Sequence, residues 1–100
     1  AADYLRGMGA SGLGVEAAAR TAAVLSTGAE GAIPLKEGYA AAMAAQNTSY
    51  ACVEKNIRSM VGKLQAGACG EYQALMGGLP AERPSNELFL RRLARRILEW

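Results

Sequence analysis

Midway along the chain, apolar positions recur at helical spacing. Val53, Ile57, Met60 and Leu64 fall within one narrow sector at about 100° per residue, with Val61 beside them. The opposite side carries Ala51, Lys55, Arg58 and Gly62, flanked by Ser59 and Cys52 on one edge and Glu54 on the other. Asn47, Thr48 and Ser49 supply a polar start signal, with Thr48 as the expected N-cap, and Gly67 supplies the stop. The pattern predicts a helix over about 49–65 with one buried stripe and a cationic outer face.

The remaining punctuation also divides the chain into helices, because sustained alternation of β-branched and polar residues is missing. A short helix is expected over about 2–8, ending at Gly7 and Gly9. A second runs from about Gly14 to Leu25, with Val15, Ala18, Ala19, Ala22 and Leu25 as its narrow inner face and Ser26-Thr27-Gly28 as its stop. A third spans about 33–46. Pro34 lies in its first turn, Leu35, Tyr39, Ala42, Met43 and Gln46 fall at helical spacing, and Gly38 is a point of bending. A short helix over about 69–76 ends at Gly77-Gly78. Residues 79–84 form a turn-rich connector, and Ser85 or Asn86 caps a last helix over about 86–99. The expected fold is all-α: one compact six-helix bundle spanning 1–100, with a helix-turn-helix at its third and fourth helices.

Composition refines this picture. Hydrophobic residues are 51% of the 100, but many are alanine and only 6% are aromatic, so the core is expected from Leu, Ile, Val and Met on helices drawn together by Ala and Gly. No apolar run approaches the roughly 20 residues of a membrane span. The start, Ala1-Ala2-Asp3-Tyr4-Leu5-Arg6, lacks the features of a secretory signal and reads as a fragment boundary, pointing to a cytoplasmic chain. Net charge is +2, and its distribution matters more than its size: residues 1–50 carry −1 and residues 51–100 carry +3. The basic excess shares a half with the amphipathic helix.

Several chemistries are excluded. With no histidine, imidazole acid–base catalysis, histidine triads and histidine-ligated metals are ruled out within this chain. Cys52 and Cys69 make no zinc pattern and are read as free thiols, with a reactive thiol at Cys52 as a secondary reading because it lies near a helix start. Glu16, Glu30, Glu37, Glu71, Glu82, Glu87 and Glu99 form no acid–base pair in sequence. The glycines of residues 7–14 follow no strand and lack a Gly-Lys-Ser/Thr ending, so they make no nucleotide loop. Neither an enzyme, a cofactor nor a metal is implied.

The outer face of the fourth helix suits groove recognition. Ala51, Ser59 and Gly62 are small enough for close approach, while Lys55 and Arg58 bring charge and donors. Thr48, Ser49 and Tyr50 stand at the positive end of the helix, where a phosphate would meet them. In a helix-turn-helix, the second helix enters the major groove by its N-terminal residues. Arg91, Arg92, Arg95 and Arg96 band the last helix, either as a solvated face or as further phosphate contacts, above Leu90, Leu93, Ala94 and Ile97 facing the core, with Phe89 and Trp100 at its edges.

Two stretches resemble a known family. Val53-Glu54-Lys55-Asn56-Ile57-Arg58, preceded by Asn47-Thr48-Ser49, is similar to the Thr-Thr…Val-Glu-Arg-x-Ile-Arg signature of the stage-zero sporulation response regulator's C-terminal domain. Pro84-Ser85-Asn86-Glu87-Leu88-Phe89 resembles the Pro-Thr-Asn-Ser-Glu-Phe element that opens that domain's last helix, and Tyr39 stands where the family often has tyrosine. The resemblance covers about residues 5–98. It implies a helix-turn-helix effector domain of a bacterial transcription regulator, controlled by a receiver domain elsewhere in the parent chain. It further implies binding to double-stranded DNA as tandem or dimeric copies. Carried over by position, Glu54, Lys55 and Arg58 face DNA, with Thr48 and Ser49 near phosphates.

The chain departs from the pattern at Cys52 and Lys55, where the family has arginines, and it lacks the tryptophan common near the end of that helix. The family's sequence preference is therefore not carried over. The expected DNA-binding set is Thr48, Ser49, Tyr50, Cys52, Glu54, Lys55, Arg58 and Ser59. The alternative is a helical interaction or dimerisation module that has lost base reading.

Overall fold

The computed structural model describes residues 1–29 and 31–100, so Glu30 lies outside the described residues. Described residues form six helices and no strand: α1 (Ala2–Gly7), α2 (Leu13–Leu25), α3 (Leu35–Gln46), α4 (Tyr50–Gly67), α5 (Gly70–Met76) and α6 (Asn86–Leu98). The all-α architecture is the one expected. Its radius of gyration, 12.2 Å, is that of one domain of this length, for which about 13 Å is usual. No helix among the described residues is long and apolar enough to cross a membrane.

Close backbone approach organises the first half. A Cβ added at Gly14 would lie 2.5 Å from the Asn56 carbonyl oxygen, so the start of α2 rests directly on the backbone of α4. At Gly38 the added atom would meet Thr21 Cγ2 at 2.6 Å, and the Thr21 hydroxyl donates to the Gly38 carbonyl at 3.3 Å. Gly38 was expected to bend its helix; instead α3 runs through it unbroken, and the missing side chain lets α2 and α3 touch. Burial on α2 is also wider than the expected narrow face. Gly14, Ala17 and Thr21 join Val15, Ala18, Ala22 and Leu25 inside, while Ala19 is only half-buried.

Helix ends follow their side chains. Ser49 Oγ accepts the Cys52 N–H at 3.2 Å and Ser85 Oγ accepts the Leu88 N–H at 3.1 Å, making both serines N-caps. Thr48, expected to cap α4, stands one residue too early and serves the end of α3 instead. Pro34 likewise precedes α3 as its N-cap residue rather than lying in its first turn.

The stripe of α4 is buried as expected: Val53, Ile57 and Val61 are inaccessible, Met60 and Leu64 nearly so. Aromatic residues contribute more to the core than composition implied. Tyr39, Tyr72 and Phe89 are its largest fully buried side chains, with Phe89 stacked on Tyr72 at a centroid distance of 6.4 Å. Phe89, expected at the edge of the inner face of α6, is fully buried there. Trp100 is at the edge, 61% exposed and packed edge-on against Tyr4 at 5.2 Å.

Candidate nucleic-acid interface

Three residues, Asn47, Thr48 and Ser49, separate α3 from α4. Asn47 takes the left-handed conformation (φ 50°, ψ 54°), which asparagine tolerates better than most residues. The Asn47 N–H donates to the Ala44 carbonyl at 3.4 Å and the Thr48 N–H to Met43 at 3.1 Å, the paired bonds of a Schellman ending. Extended backbone at Ser49 then starts α4 at once. The polar triplet thus closes one helix and caps the next with no residue to spare.

Tyr50 opens α4 half-exposed, its ring edge-on to buried Tyr39 at 5.1 Å with an interplanar angle of 67°. Behind this pair, Asn86 Nδ2 donates to the Tyr39 hydroxyl at 3.1 Å and to the Glu54 carbonyl at 3.0 Å. One buried amide of α6 therefore ties down α3 and the N-terminal half of α4. These three residues belong to separate stretches of sequence, and the fold brings them to one point.

Outside this support, Ala51, Cys52, Lys55, Arg58 and Ser59 are exposed on α4. Glu54 is half-buried and accepts from Arg58 Nη1 at 2.9 Å, an (i, i+4) pair on the surface. Such pairs contribute about 0–1 kcal/mol, so Arg58 exchanges this partner for another anion at small cost. No ion pair among the described residues involves Lys55. Ser59 stands on the far flank, beside a hollow it lines with Asn56, Lys63 and the loop before α2.

One cation of this surface is not apparent in the sequence pattern. Arg83, in the connector before α6, passes its Cδ 3.5 Å from where a Cβ on Gly62 would lie. With Tyr50, Glu54, Arg58 and Ser85 it lines an open hollow of about 350 Å³ between α3, α4 and α6. The only sequence signal was a basic residue next to Pro84-Ser85-Asn86, which says nothing about where the connector returns.

The α6 arginines stand elsewhere. Arg91 is held by its own surroundings, donating to the Ile33 carbonyl at 2.8 Å and to Glu87 at 3.1 Å. Arg92, Arg95 and Arg96 line a hollow with Ala74, Leu75 and Glu99, and Arg91 and Arg95 line another with Leu25 and Leu98. No α4 residue lines either hollow, so the fold does not merge this band with the α4 surface.

Cys52 is exposed and free, in the first turn of α4. Its thiol is held below the usual cysteine value, chiefly by the Ser49 hydroxyl, then by Thr48, with a smaller contribution from the Lys55 charge against slight desolvation. Cys69 is free as well, its Sγ 3.8 Å from the Met8 carbonyl oxygen. No cluster among the described residues is suited to hold a metal ion. No protein-family model, curated protein or solved structure matches the chain.

Proposed function

We propose that this chain is a double-stranded-DNA-binding domain of a bacterial transcription regulator, in which α3 and α4 act as a helix-turn-helix. The observation that carries this reading is the open cationic side of α4, which begins at a three-residue turn and continues onto the connector through Arg83. Lys55 and Arg58 enter the major groove with small Ala51 between them in projection and Cys52 and Ser59 on one flank, while Tyr50, Ser49, Thr48 and Arg83 meet the flanking phosphates. Glu54 orients the Arg58 fork and accepts from a cytosine amine when Arg58 turns to a base. The likeness to the sporulation regulator's effector domain supports the same assignment, with a receiver domain in the parent chain and paired copies on DNA.

Fluorescence anisotropy against random and promoter-derived duplexes, repeated across salt concentrations, tests this. Affinity that falls steeply with salt is expected, with most of it lost on Lys55→Ala plus Arg58→Ala. No binding at low salt, or no effect of the double substitution, excludes the reading. A stable dimer by light scattering without DNA affinity would select the alternative of an interaction module. The absence of a guanidinium at Cys52 and Lys55 favours that alternative.

A further inference from the structure

Apart from the α4 surface, α6 presents a second organised face. Its inner side buries Asn86, Phe89, Leu90, Leu93 and Ala94. Helical geometry then turns Leu88, Arg92 and Arg95 outward, with Leu98 at one margin. Leu88 is 46% exposed and Leu98 61% exposed. Single exposed leucines are ordinary on protein surfaces. These two differ in bracketing a cationic centre and in each bordering a hollow: Leu88 with Arg91, Arg92 and Arg95, and Leu98 with Leu25, Ala94, Arg91 and Arg95. Arg95 is common to both hollows, which makes the face continuous over about 15 Å of helix. Arg91 is fixed by Ile33 and Glu87, whereas Arg92 and Arg95 make no ion pair among the described residues.

We propose that this face docks an acidic amphipathic segment of a partner protein, two apolar side chains covering Leu88 and Leu98 and carboxylates between them meeting Arg92 and Arg95. Charge complementarity selects the occupant. A second copy placed face to face would set Arg92 and Arg95 against their own counterparts, a like-charge arrangement that Glu99, the carboxylate sharing a hollow with both, offsets only in part. A nucleic-acid backbone would satisfy the arginines but bury neither leucine, and its footprint would not need the hollow beside Leu25. The docking face stands apart from the DNA-binding reading, and the two fail or survive separately.

A fluorescein-labelled helical peptide with leucines about ten positions apart and glutamates on the same face between them is the probe. Its host is the Lys55→Ala, Arg58→Ala chain, so that α4 does not compete. Saturable binding is expected. It weakens about tenfold or more on Leu88→Ser with Leu98→Ser, and again on Arg92→Ala with Arg95→Ala, while far-UV circular dichroism stays unchanged. The same peptide with glutamines for glutamates binds correspondingly less. Lack of saturation, or binding untouched by the leucine changes, overturns the proposal. Loss confined to the arginine changes, with displacement by duplex DNA, makes the face a phosphate track and overturns it too. A concentration-dependent dimer abolished by the leucine changes would assign the face to a second copy and equally overturn it.

Discussion

Asn86 Nδ2 donates to the Tyr39 hydroxyl at 3.1 Å across 47 positions of sequence, and the same nitrogen donates to the Glu54 carbonyl at 3.0 Å. Both side chains are buried. This node fixes the start of α6 against α3 and α4 directly behind Tyr50, so it sets the position of the α4 surface without being part of it.

Removing the amide leaves buried acceptors without their donor. Asn86→Ala is therefore expected to lower stability by about 1–3 kcal/mol, and Tyr39→Phe by a smaller amount. Because the two residues share one bond, the double variant should lose less than the two single losses together. Urea unfolding of the four proteins measures this. Additive losses would show that the bond contributes nothing of its own.

Glycines illustrate what the sequence could and could not reveal. Gly38 and Gly62 both interrupt helical patterns and look alike as letters. The amphipathic stripe of α4, the six helices and a cap at Ser85 or Asn86 were legible because period and capping are local properties. Which helix lies against which glycine is not local, and neither is the return of Arg83 across α4. Thr48 was the expected cap of α4, and only the left-handed Asn47, which fixes where α3 ends, moves that role to Ser49. Tyr39 already fell on the helical spacing of the third helix, but its bond to Asn86, like the burial of Tyr72 and its bond to Gln65, joins separate helices and is not visible in local pattern.

From that contrast follow opposite outcomes for the same substitution. Gly38→Ala drives a methyl to 2.6 Å from Thr21 Cγ2 and 3.1 Å from the Thr21 carbonyl oxygen, and should destabilise by about 1–3 kcal/mol despite better helix propensity. Adding Thr21→Ser removes the nearer clash and should restore part of the loss. Gly62→Ala meets only Arg83 Cδ at 3.5 Å, an ordinary contact, so the propensity gain of up to about 1 kcal/mol should appear as stabilisation. Thermal unfolding of the set decides whether the two glycines differ as the packing requires.

Arg83 separates a phosphate contact from a base contact. If the connector runs along the backbone of a bound duplex, Arg83→Ala should reduce affinity for all sequences alike and lower the salt slope by about one. Arg58→Ala should instead change discrimination between sequences by about 1–3 kcal/mol. Anisotropy titrations on two duplexes differing in sequence, at several salt concentrations, distinguish the roles. An Arg83→Ala effect that depends on sequence would assign it to base reading.

The Cys52 thiol offers a local probe of the same helix start. Its lowered value comes mainly from the Ser49 hydroxyl, so the pH profile of its alkylation should rise at lower pH than for an ordinary thiol. Ser49→Ala should move that profile upward, and Lys55→Ala should move it less. Measurements use the Cys69→Ser chain, leaving one reactive sulfur. A profile unaffected by Ser49→Ala would show that the hydroxyl does not reach the thiolate.

Burial raises the phenols of Tyr39 and Tyr72 above the ordinary value of 10.0, with the Asn86 amide partly offsetting the effect at Tyr39. Each phenol is neutral while protonated, and above 10.0 the unfolded chain loses these protons before the folded one does. The folded state then binds more protons than the unfolded state, so stability must fall as pH rises. The contribution is fully present below the unfolded-state value and disappears as pH climbs through the raised folded-state values. Tyr72→Phe gives up the hydrogen bond to Gln65 Oε1 at 2.7 Å, so it should start less stable at neutral pH. It should nevertheless decline less between about pH 9 and 11, because one ionisable buried group is gone. Urea midpoints across that range, compared between parent and variant, test the sign. Parallel curves would mean that the alkaline loss arises from other groups.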